Sequence, residues 1–402
     1  MKRKTALLLA MVLLMSTIQT NYAAAEEETP APAQQAETSV EAAGPMELSV
    51  EEAIRLAAEN DRKMWKIDDA IKQMKEMRRS GSDAKEQAEA LMDMSLEVLS
   101  ALQVDVTSNY VEALLAKNGY YIKTADTQMK LLEKNKEVLT AGIEIKTKSL
   151  YYSVLAAEKT IEINKAKLDS AKEQLRVITL KFNNGSATKA EVLKGEMSVQ
   201  QAQTDLDSSN DDLDMAKLSL LNGLNLPFAT EVTLTDKELD YVPTQDIKLD
   251  EAIETAKSNR PEIIEAENAL ELQKIKTHVY TAYYTSNLRQ NKAAQEELKD
   301  AELNVPQAYK DVELDVRTSY LNLVKAERAL VNMDKTVELA KEAARINKLL
   351  YENGMAAAAD VIEANASLAQ AEIGRYQLLV SYNLNKLMFD NSHLIGAASA
   401  AN

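Results

Sequence analysis

The chain reads as all-α: a pair of long antiparallel coiled-coil helical hairpins, with little or no β-barrel. Three observations predict this. Glycine and proline are scarce, ten and seven in 402 residues, while Ala, Leu, Lys and Glu abound, a balance that favours long helices over sheet. A seven-residue apolar repeat runs along two extended segments. One glycine turn occurs twice, at matching ends of those segments, as Phe182-Asn-Asn-Gly185 and Tyr351-Glu-Asn-Gly354. Together they make the chain an internal duplication.

Composition excludes several functions. A formal net charge of −16 argues against nucleic acid as partner, because a phosphate-binding face needs clustered Lys and Arg. The chain has no cysteine, which removes disulfides, thiol catalysis and thiolate metal sites. Two isolated histidines, His278 and His393, do not suggest zinc. No glycine-rich phosphate loop, HExxH or Gly-x-Ser-x-Gly occurs. Neither an enzyme nor a cofactor is expected.

The N-terminus has the form of a Sec export signal. Lys2, Arg3 and Lys4 precede an apolar run to Ile18, and Ala23-Ala24-Ala25 supplies small residues for cleavage. Residues 1–25 are therefore read as signal peptide and 26–46 as a disordered, Glu-, Ala- and Pro-rich leader. Residues 47–222 form the first repeat. It opens on Leu48-Ser-Val-Glu-Glu-Ala-Ile54, where Ser49 and Glu52 match a capping box. Arg78-Arg-Ser-Gly-Ser82 looks like the first interruption of the helix that follows. The first repeat is longer than the second, with the extra residues between about Ser80 and Lys136.

The helices entering the turns align without a gap. Tyr151 matches Tyr320, Glu173 matches Glu342, and Arg176 matches Arg345. The seam reads Val154, Ile161, Leu168, Leu175 and Phe182 in the first copy. In the second it reads Val316, Leu323, Leu330, Val337, Ala344 and Tyr351. Such a repeat implies a left-handed coiled-coil seam. Each glycine is expected in the left-handed conformation at a helix C-terminus. Glu191 and Asp360 follow in the first turns of the return helices, where the helix dipole favours negative charge. Those helices carry apolar stripes, Leu193, Met197, Ala202 and Leu206 in one and Val361, Leu368, Ile373 and Leu379 in the other. Residues 223–246, with β-prone Glu231 to Thr235, form an extended equatorial linker. The second repeat spans 247–396, opening on Ile247-Lys-Leu-Asp-Glu-Ala-Ile253, and 397–402 are a disordered tail.

In order, duplication and spacing these motifs resemble the TolC-like outer-membrane efflux proteins, along about Leu48 to Gly396. Gly223-Leu-Asn-Leu-Pro and Asn259-Arg-Pro-Glu262 add to the likeness. The resemblance implies a homotrimer forming a helical tube, docked at its inner tip to a membrane-fusion adaptor and an inner-membrane pump. It places Phe182, Gly185, Ser186, Thr188, Tyr351, Gly354 and Met355 in the adaptor-docking turns. It places Glu191, Asp360 and Glu363 at the entrance constriction, with Glu191 the carboxylate partner of the tip tyrosine, Tyr351. Ala356 and Ser186 depart from the family pattern, which implies a weaker charged clasp across the tip.

A larger departure concerns the membrane barrel. Membrane strands need about 9–11 alternating residues and aromatic girdles, yet Asp83 to Met92 and Lys292 to Ala301 read as helix. Only Val279 to Thr285 has strand character, and the chain holds three Phe and one Trp. Helices are expected to replace the strands. Several readings stay open on residues alone. Phe182 and Tyr351 are either core packing or a gate. Asp360 and Glu363, and the cluster Asp205, Asp207, Asp211, Asp212 and Asp214, are either solvated faces or channel-lining. Tyr280, Tyr283 and Tyr284 are either an aromatic tip or packing between helices. The function is a transport duct or, alternatively, an exported structural bundle without a pore.

Overall fold

The computed structural model describes residues 46–94, 98, 110–245 and 247–396. The signal peptide, the leader up to residue 45 and the tail from 397 lie outside them. The elements in chain order are β1 (Met46–Leu48), α1 (Val50–Glu59), α2 (Arg62–Met92), α3 (Tyr110–Lys117), α4 (Tyr120–Asn183), α5 (Lys189–Gly223), β2 (Val232–Leu234), α6 (Leu249–Asn259), α7 (Pro261–Tyr283), α8 (Arg289–Glu352) and α9 (Ala358–Asp390). The duplicated helices α4 and α8 have 64 residues each, or about 96 Å at 1.5 Å per residue.

Four long helices lie side by side in the order α5, α4, α9, α8, with α2 against α4 and α7 against α8. The heptad reading of the seam holds. Val316, Leu323, Leu330, Val337, Ala344 and Tyr351 are all buried in α8, as are Val154, Ile161 and Leu168 in α4. Within the first hairpin, buried Asn164 donates to Ser209 Oγ at 2.7 Å. A single polar pair in an apolar seam specifies register, since any slip leaves it unpaired.

Between the hairpins the chain is pinned at two tyrosines. β1 and β2 pair in parallel, Met46 opposite Val232, so Met46 belongs to a strand rather than to the leader. Tyr151 donates its hydroxyl to Leu48 O at 2.9 Å and accepts from Asp236 N at 3.2 Å, tying both strands to α4. Further on, Tyr382 of α9 donates to Val242 O, and Glu327 of α8 accepts from Tyr241 Oη and Thr244 N at 3.0 Å each.

The structure corrects several expectations. Ser49 caps α1, accepting from Glu52 N at 3.1 Å. The Glu52 side chain turns instead to Arg55, a charged donor one turn on, because a charge-assisted bond outcompetes a neutral backbone donor. The capping box is half formed. The first helix break falls at Asn60 and Asp61, where Asp61 caps α2 through Lys63 N at 2.6 Å. Gly81 lies inside α2 and interrupts nothing. A Cβ there would meet Ile122 N at 3.1 Å and the Tyr121 carbonyl carbon at 3.2 Å, so the glycine permits close approach of α2 to α4. In the return helix, Leu193 and Met197 point outward, and the buried line is Val192, Gly195, Ala202 and Ser209. The helices are too close for leucine there: a Cβ on Gly195 would stand 3.0 Å from Leu175 Cδ1.

Val279 to Tyr283 is helix, not strand. Val279 is buried against Val111 and Leu115 of α3. The tyrosines pack on one another, Tyr283 lying tilted against Tyr110 at 5.5 Å and edge-on to Tyr284 at 4.9 Å, while Tyr283 itself stays exposed. Asp83–Met92 and Lys292–Ala301 are helical as read. Among the described residues no barrel strand occurs, and no helix is long and apolar enough to cross a membrane.

Candidate functional site: the paired tip turns

Both long helices end in the same hydrogen-bonded turn. After α4, Ser186 N donates to Lys181 O at 2.8 Å and Gly185 N to Phe182 O at 3.0 Å. After α8, Met355 N donates to Leu350 O at 2.8 Å and Gly354 N to Tyr351 O at 3.1 Å. This is the Schellman pattern, which satisfies helix carbonyls otherwise left open. Gly185 has φ of 71° and Gly354 of 74°, the left-handed region in which a Cβ is strained. The left-handed conformation expected of both glycines is present.

Each turn then opens a return helix. Thr188 caps α5: its Oγ1 accepts from Glu191 N at 3.3 Å, and Glu191 accepts from Thr188 N at 2.7 Å. The Thr188 N–H, and then the Thr188 hydroxyl at 2.9 Å, hold the Glu191 carboxyl below the usual carboxylate range. At the second tip, Asp360 accepts from Ala357 N at 2.8 Å. Alanine offers no oxygen in return, so that box has one half only. Backbone geometry is the same at both caps, φ −93° and ψ 157° at Thr188 against −84° and 155° at Ala357. Ala357→Thr should therefore raise stability by about 1 kcal/mol, read as the shift of a urea midpoint. An unchanged midpoint would refute the equivalence of the two caps.

The four long helices converge at this end. Ile178 of α4, Val192 of α5, Tyr351 of α8 and Ala358 and Val361 of α9 form one buried cluster. The seam's symmetry breaks here, because Tyr351 is buried while Phe182 is exposed. Tyr351 sits between the hairpins, whereas Phe182 lies on the outer side of the first. Lys181 reaches across: its Nζ stands 3.6 Å from the Tyr351 ring centroid and donates to Tyr351 O at 2.9 Å. This is a cation–π contact between the two hairpins. The residue matching Lys181 in the second copy is Leu350, so alignment of the repeats hid it. Its signal was a basic residue in the last turn of a helix. The Tyr351 hydroxyl is buried with no hydrogen-bond partner among the described residues, and its pKa is pushed up by burial and then by the Glu191 charge.

The remaining predicted residues lie around this cluster. Ser186, Met355, Asp360 and Glu363 are exposed. Asp360 and Glu363 share one face of α9, a turn apart. Glu191 and Asp360 act first as helix caps. No group of three or more metal-ligating side chains occurs among the described residues.

No protein-family model and no curated protein sequence matches the chain. Solved structures do. A membrane protein from Pseudomonas aeruginosa superposes with a TM-score of 0.65 at 14% identity, over 86% of this chain and 93% of that one. CusC, described for its folding and transmembrane channel formation, gives 0.65 at 12% identity over 87% and 92%. The outer membrane protein VceC from Vibrio cholerae gives 0.62 at 13% identity over 86% and 96%. At such identities the likeness is one of fold.

Proposed function

We propose that this chain, whose fold is that of the TolC-like outer-membrane channels, is the protomer of a passive, non-enzymatic exit duct in the cell envelope. It is exported through the Sec pathway and assembles as a homotrimeric helical tube. The paired glycine turns form the tip that docks a membrane-fusion adaptor and, through it, an inner-membrane pump. Asp360, Glu363 and Glu191 narrow the entrance.

The observation that carries this reading is a mismatch between duplicate helix faces. α4 and α8 bury equivalent seams and so are rotated alike. A second face of α4 is covered by α9. There Ile145 packs with Leu387, Ser170 accepts from Asn365 Nδ2 at 3.0 Å, and Val177 joins the tip cluster. The matching residues of α8 are Leu314, Leu339 and Ile346. Ile145 is 6% exposed, but Leu314 and Leu339 are 65% and 73% exposed. An edge helix that repeats the residues of an interior helix, with apolar ones left open, lacks a neighbour. The other edge, α5, is the duplicate of α9. Setting α8 of one copy against α5 of the next repeats the α4–α9 joint head to tail, the kind of contact that closes into rings. The number three comes from the family resemblance.

Sedimentation and negative-stain imaging of the purified protein test this together. A trimer with a hollow axis is expected, and a monomer would overturn it. A second reading, a structural bundle without a pore, is favoured by the short connection 284–288, which joins α7 directly to α8 where membrane strands would start. A trimer with a filled axis would select that reading.

A further inference from the structure

One line of α9 faces α4 along the interior joint. Asn365 donates to Ser170 Oγ at 3.0 Å. Tyr376 lies partly buried on the cluster that holds Val154 and Leu155, where burial and then the charges of Glu158 and Glu162 push its pKa up. Leu387 packs on the cluster of Ala141 and Ile145. These three residues stand eleven positions apart, about three helix turns, so they make one straight line. Their duplicates in α5, at the offset of 169 that carries Gly185 to Gly354, are Glu196, Asp207 and Leu218, all exposed. That register holds along both helices, since Val192 and Val361, Ala202 and Ala371, and Leu220 and Phe389 are buried alike. On α8 the positions that duplicate the covered face of α4 include Leu314, Leu321, Arg328, Lys335 and Leu339, and these too are exposed.

We propose that Arg328 of one copy pairs with Asp207 of the next, at the place that Tyr376 holds against α4 inside the chain. The inference rests on the head-to-tail assembly proposed above and adds the ionic contact that sets its axial register. Glu158 and Glu162, the charges felt by Tyr376, correspond to Glu327 and Val331. Equivalence therefore puts Asp207 beside residues 327–331 of the neighbour, where Arg328 is the cation. Glu327 would repel Asp207, but its carboxylate is engaged by Tyr241 Oη and Thr244 N. Within the chain Asp207 accepts from the neutral Gln203 side chain at 2.8 Å. Neither Asp207 nor Arg328 makes an ion pair among the described residues. The wider charge pattern agrees. Residues 189–223 of α5 hold seven acidic side chains against three basic, whereas residues 317–348 of α8 hold seven basic against four acidic. Two α5 edges repel one another, and an α5 edge attracts an α8 edge, so the charges favour the head-to-tail order and fix its register. The apolar ends meet in the same register: Leu218 falls on Leu314 as Leu387 falls beside Ile145, and the two leucines are 46% and 65% exposed. Asp207 thus leaves the acidic cluster as a joint residue, neither solvated nor facing a channel.

Two measurements separate this contact from the assembly itself. The chain has no native cysteine, so Leu218→Cys with Leu314→Cys reports the joint directly. The two positions lie on opposite edges of the four-helix layer, and a disulfide between them forms between copies. Mild oxidation should give a ladder ending at the trimer on a non-reducing gel. Without a ladder the assembly reading falls, and the ion pair with it. The second measurement is a double-mutant cycle on self-association, read by sedimentation over a range of concentrations. Asp207→Ala and Arg328→Ala should each keep the helical circular dichroism, because both side chains are exposed in the single chain. Each should weaken association about tenfold or more per interface. The double variant should be no weaker than the weaker single variant, the non-additivity of residues in contact. A ladder from the cysteine pair together with unchanged association, or with losses that simply add, would overturn the pair while the assembly stands.

Discussion

Replacing Arg260 with leucine should lower the stability of the fold by about 2–3 kcal/mol, because it removes the charge-assisted hydrogen bonds of a buried guanidinium. Arg260 is almost wholly buried where α6 ends and α7 begins. Its Nε and Nη2 donate to Glu262 at 3.0 and 2.9 Å. Its Nη1 donates to Asp315 of α8 at 2.9 Å and to Ser392 O, just past α9, at 3.0 Å. One planar fork thus joins three parts of the second hairpin. Gly396 closes over it, and a Cβ there would stand 2.8 Å from Nη2. Leucine takes all four donated bonds away. Lysine should recover only part of the loss, because a point charge cannot reproduce the fork. Urea denaturation followed by circular dichroism measures both variants. A loss below 1 kcal/mol for Arg260→Leu would show that the clamp is dispensable.

Truncating the tip tyrosine should cost more, for a different reason. Tyr351→Ala empties the centre of the cluster where four helices meet, a loss of about 3–5 kcal/mol. Tyr351→Phe should be neutral or stabilising by about 1 kcal/mol, because its buried hydroxyl has no partner among the described residues. Lys181 is held by the ring and by the backbone carbonyl, both of which phenylalanine keeps. The same substitution should make the protein less sensitive to alkali. Burial raises the folded pKa of Tyr351, so the unfolded chain ionises first, near pH 10. The stability from keeping the phenol neutral is complete below that pH. It is lost as pH rises through the folded value. Urea midpoints at neutral pH and above pH 10 separate these effects. A marked loss for Tyr351→Phe at neutral pH would mean that the hydroxyl has a partner in the assembly, as a gate would require.

The fold was legible because helix physics is local and periodic. The heptads of α4 and α8, scarce breakers and doubled glycine turns were enough to place both hairpins and both tips. Where the reading slipped, distance between helices was the cause. Gly81 and Gly195 were indistinguishable in sequence from a break or a neutral position, and each proved to be a point of close approach. Leu193 and Met197 were assigned to the core on hydropathy, but a line of smaller residues one position over fits the gap. Residues matched by duplication also diverged. Phe182 and Tyr351 share a motif and a seam, yet only Tyr351 has neighbours on every side.

By itself the sequence determined the two longest helices and the glycine turns that end them, because each depends on residues within a few turns of one another. Only the tertiary structure decided which members of each duplicated pair are covered. Lys181 over Tyr351, Arg260 between Glu262 and Asp315, and the open faces of Leu314 and Leu339 all arise from contacts between segments far apart in the chain. The physical reason is geometric. A repeated sequence makes repeated surfaces, but a single chain has one interior joint, α4 on α9, and two edges, so identical faces end in different surroundings.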